Sequence, residues 1–212
     1  YGTPTTDTTV KKFGASSLEL NGSTDYLSVA GNNDFGFGTG NYTVEGWFYF
    51  DSVSAVQSLF DFRAGAATDV APQVYVHSDG ELRFYSYNAD RITGSTLTTA
   101  TWYHIAVSRS GNDTKLFLNG ALEGTWTITP EDYDVAKPLV IGADWTGANK
   151  LDGYVDDFRV TKGLARYTAV FVAPLSEFAS DSDTKLLLHF NNAADGANTF
   201  TDDTTNAQDL RF

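Results

Sequence analysis

The side chains able to do chemistry in this 212-residue chain are many carboxylates, few histidines and no thiols: 27 Asp and Glu, three His and no Cys. Without Cys, disulfides, thiolate-bound zinc, iron–sulfur clusters and thiol catalysis are excluded. Glycoside hydrolysis needs two carboxylates facing one groove, about 5 Å apart in retaining enzymes. On a strand that means acids at alternate positions. Asp132 and Asp134 flank Tyr133 beside Pro130 in a loop, and Asp79 and Glu81 flank a hairpin glycine. Asp156 and Asp157 are adjacent, so on a regular strand they face opposite ways. No Gly-x-Ser-x-Gly elbow occurs. His77 precedes a turn, while His104 and His189 lie in apolar strands as packed rings, and no His pair has zinc spacing. The residues point to a non-catalytic protein.

Two other chemistries fit better. Calcium takes hard oxygen ligands from loops, and Asp25 with Asp156 and neighbouring carbonyls would pin an early strand to a late one. Sugar sites combine aromatic faces with polar hydrogen-bonding groups. Strict alternation places Glu45, Trp47, Tyr49, Tyr75, His77, Arg83, Tyr85 and His104 on one face. A loop edge gathers Trp145, Asp144, Arg91 and Tyr87. Trp145 stands between Asp144 and Thr146-Gly147, in a polar loop that offers little core to join. The competing reading of an aromatic stripe on a sheet is core or packed flank.

The elements that position these residues are strands. Short alternating runs are separated by Gly, Asn, Asp and Ser, a pattern of all-β folds. Tyr42 to Phe50 puts Val44, Phe48 and Phe50 on one face and Glu45, Trp47 and Tyr49 on the other. Asp79-Gly80 and Asn119-Gly120 read as hairpin turns. Val155 and Phe158 are three apart, so a β-bulge at Asp156-Asp157 is needed to bring both to one core. Only Gly163 to Tyr167 and Ser176 to Ala179 suggest single helical turns. The expected architecture is a two-sheet antiparallel β-sandwich of jelly-roll type. Residues 10–212 form one domain and residues 1–9 are linker-like. The net charge of −13 argues against nucleic acid and anionic membranes. No apolar run approaches the roughly 20 residues of a membrane span. Met is missing even at position 1, which suggests a piece of a longer chain.

Several segments in order carry a family resemblance: Leu18-Glu19-Leu20-Asn21-Gly22, Tyr42-Thr43-Val44-Glu45-Gly46-Trp47, Trp102-Tyr103-His104-Ile105-Ala106-Val107, Leu116-Phe117-Leu118-Asn119-Gly120, Leu139-Val140-Ile141-Gly142 and Leu151 to Val160. Together they resemble a laminin-G-like, concanavalin A-like jelly-roll module. Leu186 to Phe190 and Thr201 to Asp209 come last here, whereas in many members such segments come first. Residues 185–212 therefore either complete the sandwich in permuted order or begin a following repeat. The resemblance implies an adhesion module of a virion or cell-surface protein. Arrays of this kind resemble phage structural and tail-fibre proteins, an extracellular or virion-surface setting. It also implies carbohydrate or a host-surface glycan as partner, within a larger and oligomeric assembly; a purely structural module is the alternative. Pentraxin-like relatives carry calcium ligands in the loop resembling Ala143-Asp144-Trp145, so Asp144 and Asp69 form a second expected Ca²⁺ site.

Overall fold

The computed structural model describes residues 2–65, 70–129, 131–133, 136–192, 194–205 and 207–211. Glycine, Asn and Asp punctuation cuts the chain into short extended runs. In order they are β1 (Thr5–Asp7), β2 (Ser17–Asn21), β3 (Leu27–Asn32), β4 (Tyr42–Phe50), β5 (Gln57–Asp61), β6 (Gln73–Val76), β7 (Glu81–Ser86) and β8 (Ala89–Thr96). There follow β9 (Trp102–Ser110), β10 (Asp113–Leu118), β11 (Ala121–Thr127), β12 (Lys137–Ile141), β13 (Asp152–Lys162), β14 (Thr184–Leu188) and β15 (Leu210–Arg211). Among the described residues a single 3-10 turn, Asn33–Phe35, is the one helical element. The turns expected at Gly163 to Tyr167 and Ser176 to Ala179 are extended or bent backbone instead.

The strands form two antiparallel sheets. An eight-stranded sheet runs β1-β2-β13-β4-β9-β10-β11, with β14 also beside β13. A seven-stranded sheet runs β15-β3-β12-β5-β6-β7-β8. Asn119 (φ +50) and Gly120 (φ +83) turn β10 into β11, the paired positive φ values of a two-residue hairpin. Between the sheets lies one core, including Val44, Phe48, Phe60, Phe84, Ile105 and Phe158, all fully buried. Each such side chain contributes roughly 1.5–3 kcal/mol through removal of apolar surface from water. The phase change in β13 is a bulge. Its register with β4 shifts between Asp156 and Arg159, Asp157 takes φ +51, and Val155 and Phe158 both reach the core. The bulge also divides the strand: Asp152 to Val155 pair with β2, and Phe158 to Thr161 pair with β14.

Chain lies across the outward face of the eight-stranded sheet and buries both aromatic and charged side chains there, Trp47, His104 and Glu45 among them. Residues 163–183 form a strap. Tyr167 and Phe171 stack at 3.6 Å between centroids, Phe171 packs on Phe117 and His104, and Phe178 joins Trp47 and Leu187 in a second buried cluster. Phe13 packs edge-on against Trp47, 5.8 Å between ring centroids. The bulge anchors both covers. Asp156 accepts from the amides of Lys12 and Phe13, and Asp157 from the amide of Phe178. Residues 1–9, expected as linker, contribute β1 against β2. Late in the chain, β14 pairs with β13 and β15 with β3.

Candidate functional site

On the seven-stranded sheet the outward face is left open beside the loop of residues 142–151. That loop is built around Asp144. Its Oδ1 accepts from the Thr146 amide (2.8 Å), the Thr146 hydroxyl (2.6 Å) and the Ala148 amide (3.0 Å), and its Oδ2 accepts from Asn149 Nδ2 (2.7 Å). Burial pushes the Asp144 carboxyl upward, but these bonds outweigh it and hold the group below the usual carboxylate range. The loop is then fastened to β5. Ser58 N–H donates to the Asn149 carbonyl at 2.7 Å, and Trp145 N–H donates to Asp61 Oδ2 at 3.0 Å.

Asp61 also organises the floor. Arg63 donates Nε to both of its oxygens at 3.0 Å and Nη2 to Oδ2 at 2.6 Å. Burial alone would lower the arginine's pKa; the Asp61 bonds reverse this and raise it. The guanidinium lies 5.0 Å from the centre of the Tyr85 ring, a cation–π contact. Between loop and floor is a groove of about 350 Å³, lined by Arg63, Gln73, Tyr75, Tyr85 and Trp145 together with Val56, His77, Asp144 and Asn149. That lies at the lower end of the roughly 300–1,000 Å³ usual for ligand pockets. Tyr75, Tyr85 and Trp145 are all half-buried, so their rings are partly exposed. The Tyr75 hydroxyl donates to Asp90 Oδ1 at 2.7 Å.

The expected aromatic face does not exist as one surface. Tyr75, His77, Arg83 and Tyr85 are on β6 and β7, or just beyond, in the seven-stranded sheet; Glu45, Trp47, Tyr49 and His104 are on β4 and β9 in the other. Trp47 and His104 are 4% and 0% exposed, because the strap and Phe13 cover them. His104 Nε2 instead bonds Glu45 Oε2 at 3.1 Å. Of the loop-edge set, Trp145 and Asp144 line the groove and are joined there by Tyr85. Arg91 and Tyr87 do not line it. Arg91 is drawn to the Ser86 and Tyr87 carbonyls and lies over the Trp126 ring, while Tyr87 projects from the β7–β8 turn, 53% exposed. Arg63, Gln73 and Asn149 were missed. Their signal was the polar–apolar–polar step Asp61-Phe62-Arg63 and the alternation Gln73, Tyr75, His77, which places β5 and β6 side chains outward together.

The described residues expected as calcium ligands, Asp25, Asp156 and Asp144, each accept hydrogen bonds from the protein. Asp25 Oδ1 accepts from the Thr3 amide and the Thr24 hydroxyl, Asp156 Oδ2 from two amides, and Asp144 from four donors. No group of three or more His, Asp or Glu among the described residues is placed to hold a metal. Asp69 lies outside the described residues.

The sequence matches the Laminin_G_3 family, described as the concanavalin A-like lectin/glucanases superfamily, over residues 21–167. No curated protein matches the chain. Among solved structures, a putative carbohydrate binding protein from Bacteroides ovatus is similar at TM-score 0.65 and 14% identity; the match covers 88% of this chain and 58% of that one. Domain 4 of AbnA, an extracellular arabinanase of Geobacillus stearothermophilus solved with arabinotriose, is similar at TM-score 0.61 and 19% identity, covering 78% of each chain. The CBM40 of a Ruminococcus gnavus sialidase, bound to sialyllactose, is similar at TM-score 0.50 and 15% identity, covering 70% of this chain and 92% of that one. At these identities the likeness is one of fold. The chain belongs to the concanavalin A-like lectin/glucanases superfamily.

Proposed function

We propose that this member of the concanavalin A-like superfamily is a carbohydrate-binding module that serves adhesion at a virion or cell surface, with its site in the groove beneath Trp145. One observation carries the reading. The Trp145 loop is tied to the sheet through Asp61, which sets an indole beside Tyr75 and Tyr85 over a polar floor fixed in advance by the Asp61–Arg63 pair. Aromatic faces with fixed hydrogen-bonding groups suit the alternating C–H and O–H surfaces of a sugar. Preorganisation lowers the entropic cost of binding. The carbohydrate-binding structures of similar fold support the same reading. Affinity for a single glycan is weak, and copies on one assembly gain strength through effective concentration. The test is a glycan array read with the wild-type chain and with Trp145→Ala. Binding by the wild type that drops tenfold or more in the variant, at unchanged melting temperature, supports the reading; a wild type that binds no glycan overturns it.

A second reading, a structural module that spaces a surface filament and binds no sugar, draws on one feature. Val170, Val172 and Leu175 on the strap are 71%, 82% and 86% exposed, more apolar surface than a strap needs to cover its sheet. Concentration-dependent self-association without glycan binding favours it.

A further inference from the structure

We infer that the groove selects neutral saccharides and rejects those bearing a carboxylate, because its one lining arginine, Arg63, is already compensated by Asp61. The inference rests on the carbohydrate reading above and adds the ligand class to it. An uncommitted arginine in a sugar groove is a clamp for a ligand carboxylate, since its planar fork offers two parallel donors. Arg63 has spent that fork. Its Nε and Nη2 edge faces both oxygens of Asp61, an acid with 0% exposure. Only Nη1 remains without a bond to any described residue, and a single donor on a neutralised ion pair suits a hydroxyl.

The surroundings add negative charge. Asp144, which also lines the groove, holds its charge through four donated bonds. The next cation along the same face, Arg83, donates to Asp90, Asp79 and Glu81. Among the described residues these two arginines face five carboxylates, Asp61, Asp144, Asp90, Asp79 and Glu81, with His77 against Asp79, on a chain of net charge −13. A ligand carboxylate would enter this field and find no free bidentate partner. A hydroxyl loses nothing there, and like-charge juxtaposition supplies the discrimination. Asn149 helps in the same way. Its Nδ2 is held by Asp144, which leaves Oδ1 as an acceptor for a donor that a hydroxyl has and a carboxylate lacks.

The experiment is calorimetric titration of the intact chain with matched probes. These are galacturonan oligosaccharides before and after carboxyl reduction, lactose against sialyllactose, and neutral arabinan and xylan oligosaccharides. The expected result is that neutral members bind at least tenfold more tightly than their acidic counterparts. The gap should narrow as salt rises from about 0.01 M to about 1 M, where the screening length falls from about 30 to about 3 Å. Equal or tighter binding of the acidic members overturns the inference and leaves the carbohydrate reading intact. Failure of every probe, neutral and acidic, at millimolar concentration, together with a blank array, overturns the reading and the inference with it.

Discussion

The main-chain N–H of Trp145 donates to the carboxylate of Asp61 at 3.0 Å, across 84 positions of sequence. The same carboxylate holds Arg63 through Nε and Nη2. One buried acid thus fixes the loop above the groove and the guanidinium below it. Asp61→Ala should therefore cost about 3–5 kcal/mol, the usual result of stranding a buried charge. Urea denaturation measures it. Replacing the cation as well, in Asp61→Ala with Arg63→Met, should recover part of the loss, because the stranded charge is gone. A cost below about 1 kcal/mol for the single variant would show that the pair does not organise the site.

How far the sequence foretold this arrangement depends on the range of the information. Turn chemistry and alternation are local. Asn119-Gly120 and the three-residue step from Val155 to Phe158 announced a hairpin and a bulge, and both are present. Which sheet a strand enters is not local. Trp47 and Tyr85 have the same outward parity on their strands, yet β4 and β7 belong to opposite sheets. Nothing within either strand distinguishes them. The strap was invisible for a similar reason: Tyr167, Phe171 and Phe178 have no regular period, and their purpose shows only against Trp47, His104 and Phe117. The Asp144 turn, by contrast, is local: Thr146, Ala148 and Asn149, the residues that donate to its carboxylate, follow within five positions.

Gly120 holds the strap by being small. A Cβ there would run into the Phe171 carbonyl oxygen, and φ is +83. Gly111 also has positive φ, +58, but nothing lies within 4 Å of its added Cβ. Each Gly→Ala variant bears the backbone strain, of order 1–3 kcal/mol. Only Gly120→Ala should also lift the strap. Its tryptophan emission should shift to the red as Trp47 loses cover, while Gly111→Ala keeps the wild-type spectrum. Identical spectra would mean that the Gly120–Phe171 contact does not hold the strap down.

The pH dependence of stability should carry the mark of Asp156. Burial pushes its carboxyl up to about 7, against the opposing effect of the Phe13 and Lys12 amides. A raised carboxylate pKa means that the folded state holds a proton which the unfolded state, at its ordinary value near 3.8, has lost. Stability therefore falls as pH rises from about 4 to about 7, by at most about 1.4 kcal/mol per pH unit for one proton. Asp156→Asn keeps an oxygen for the two amides and removes the titration. Denaturation at pH 5 and pH 8 should show the variant gaining on the wild type at the higher pH. A constant difference between the two proteins would place the titration elsewhere.

Glu45 should act in the opposite direction and over a lower range. Under the strap its Oε1 accepts from Arg159 Nε and Nη2 at 3.0 and 2.6 Å, and its Oε2 from the Tyr167 hydroxyl at 2.7 Å. Burial would raise its carboxyl, but the bonds from His104 and Arg159 outweigh that and hold it below the ordinary value of 4.5. A depressed pKa contributes stability that is fully present above 4.5 and is lost as pH falls through the folded value. Glu45→Gln places an amide N–H₂ against either the arginine or the tyrosine hydroxyl and leaves the Arg159 charge uncompensated. The expected cost at pH 7 is about 3–5 kcal/mol. Below pH 4.5 the gap between variant and wild type should narrow, because the wild type then has to protonate the same group. Denaturant titrations at pH 7 and pH 3.5 measure both quantities, and a gap that stays constant across that range would mean that Glu45 does not hold its charge beneath the strap.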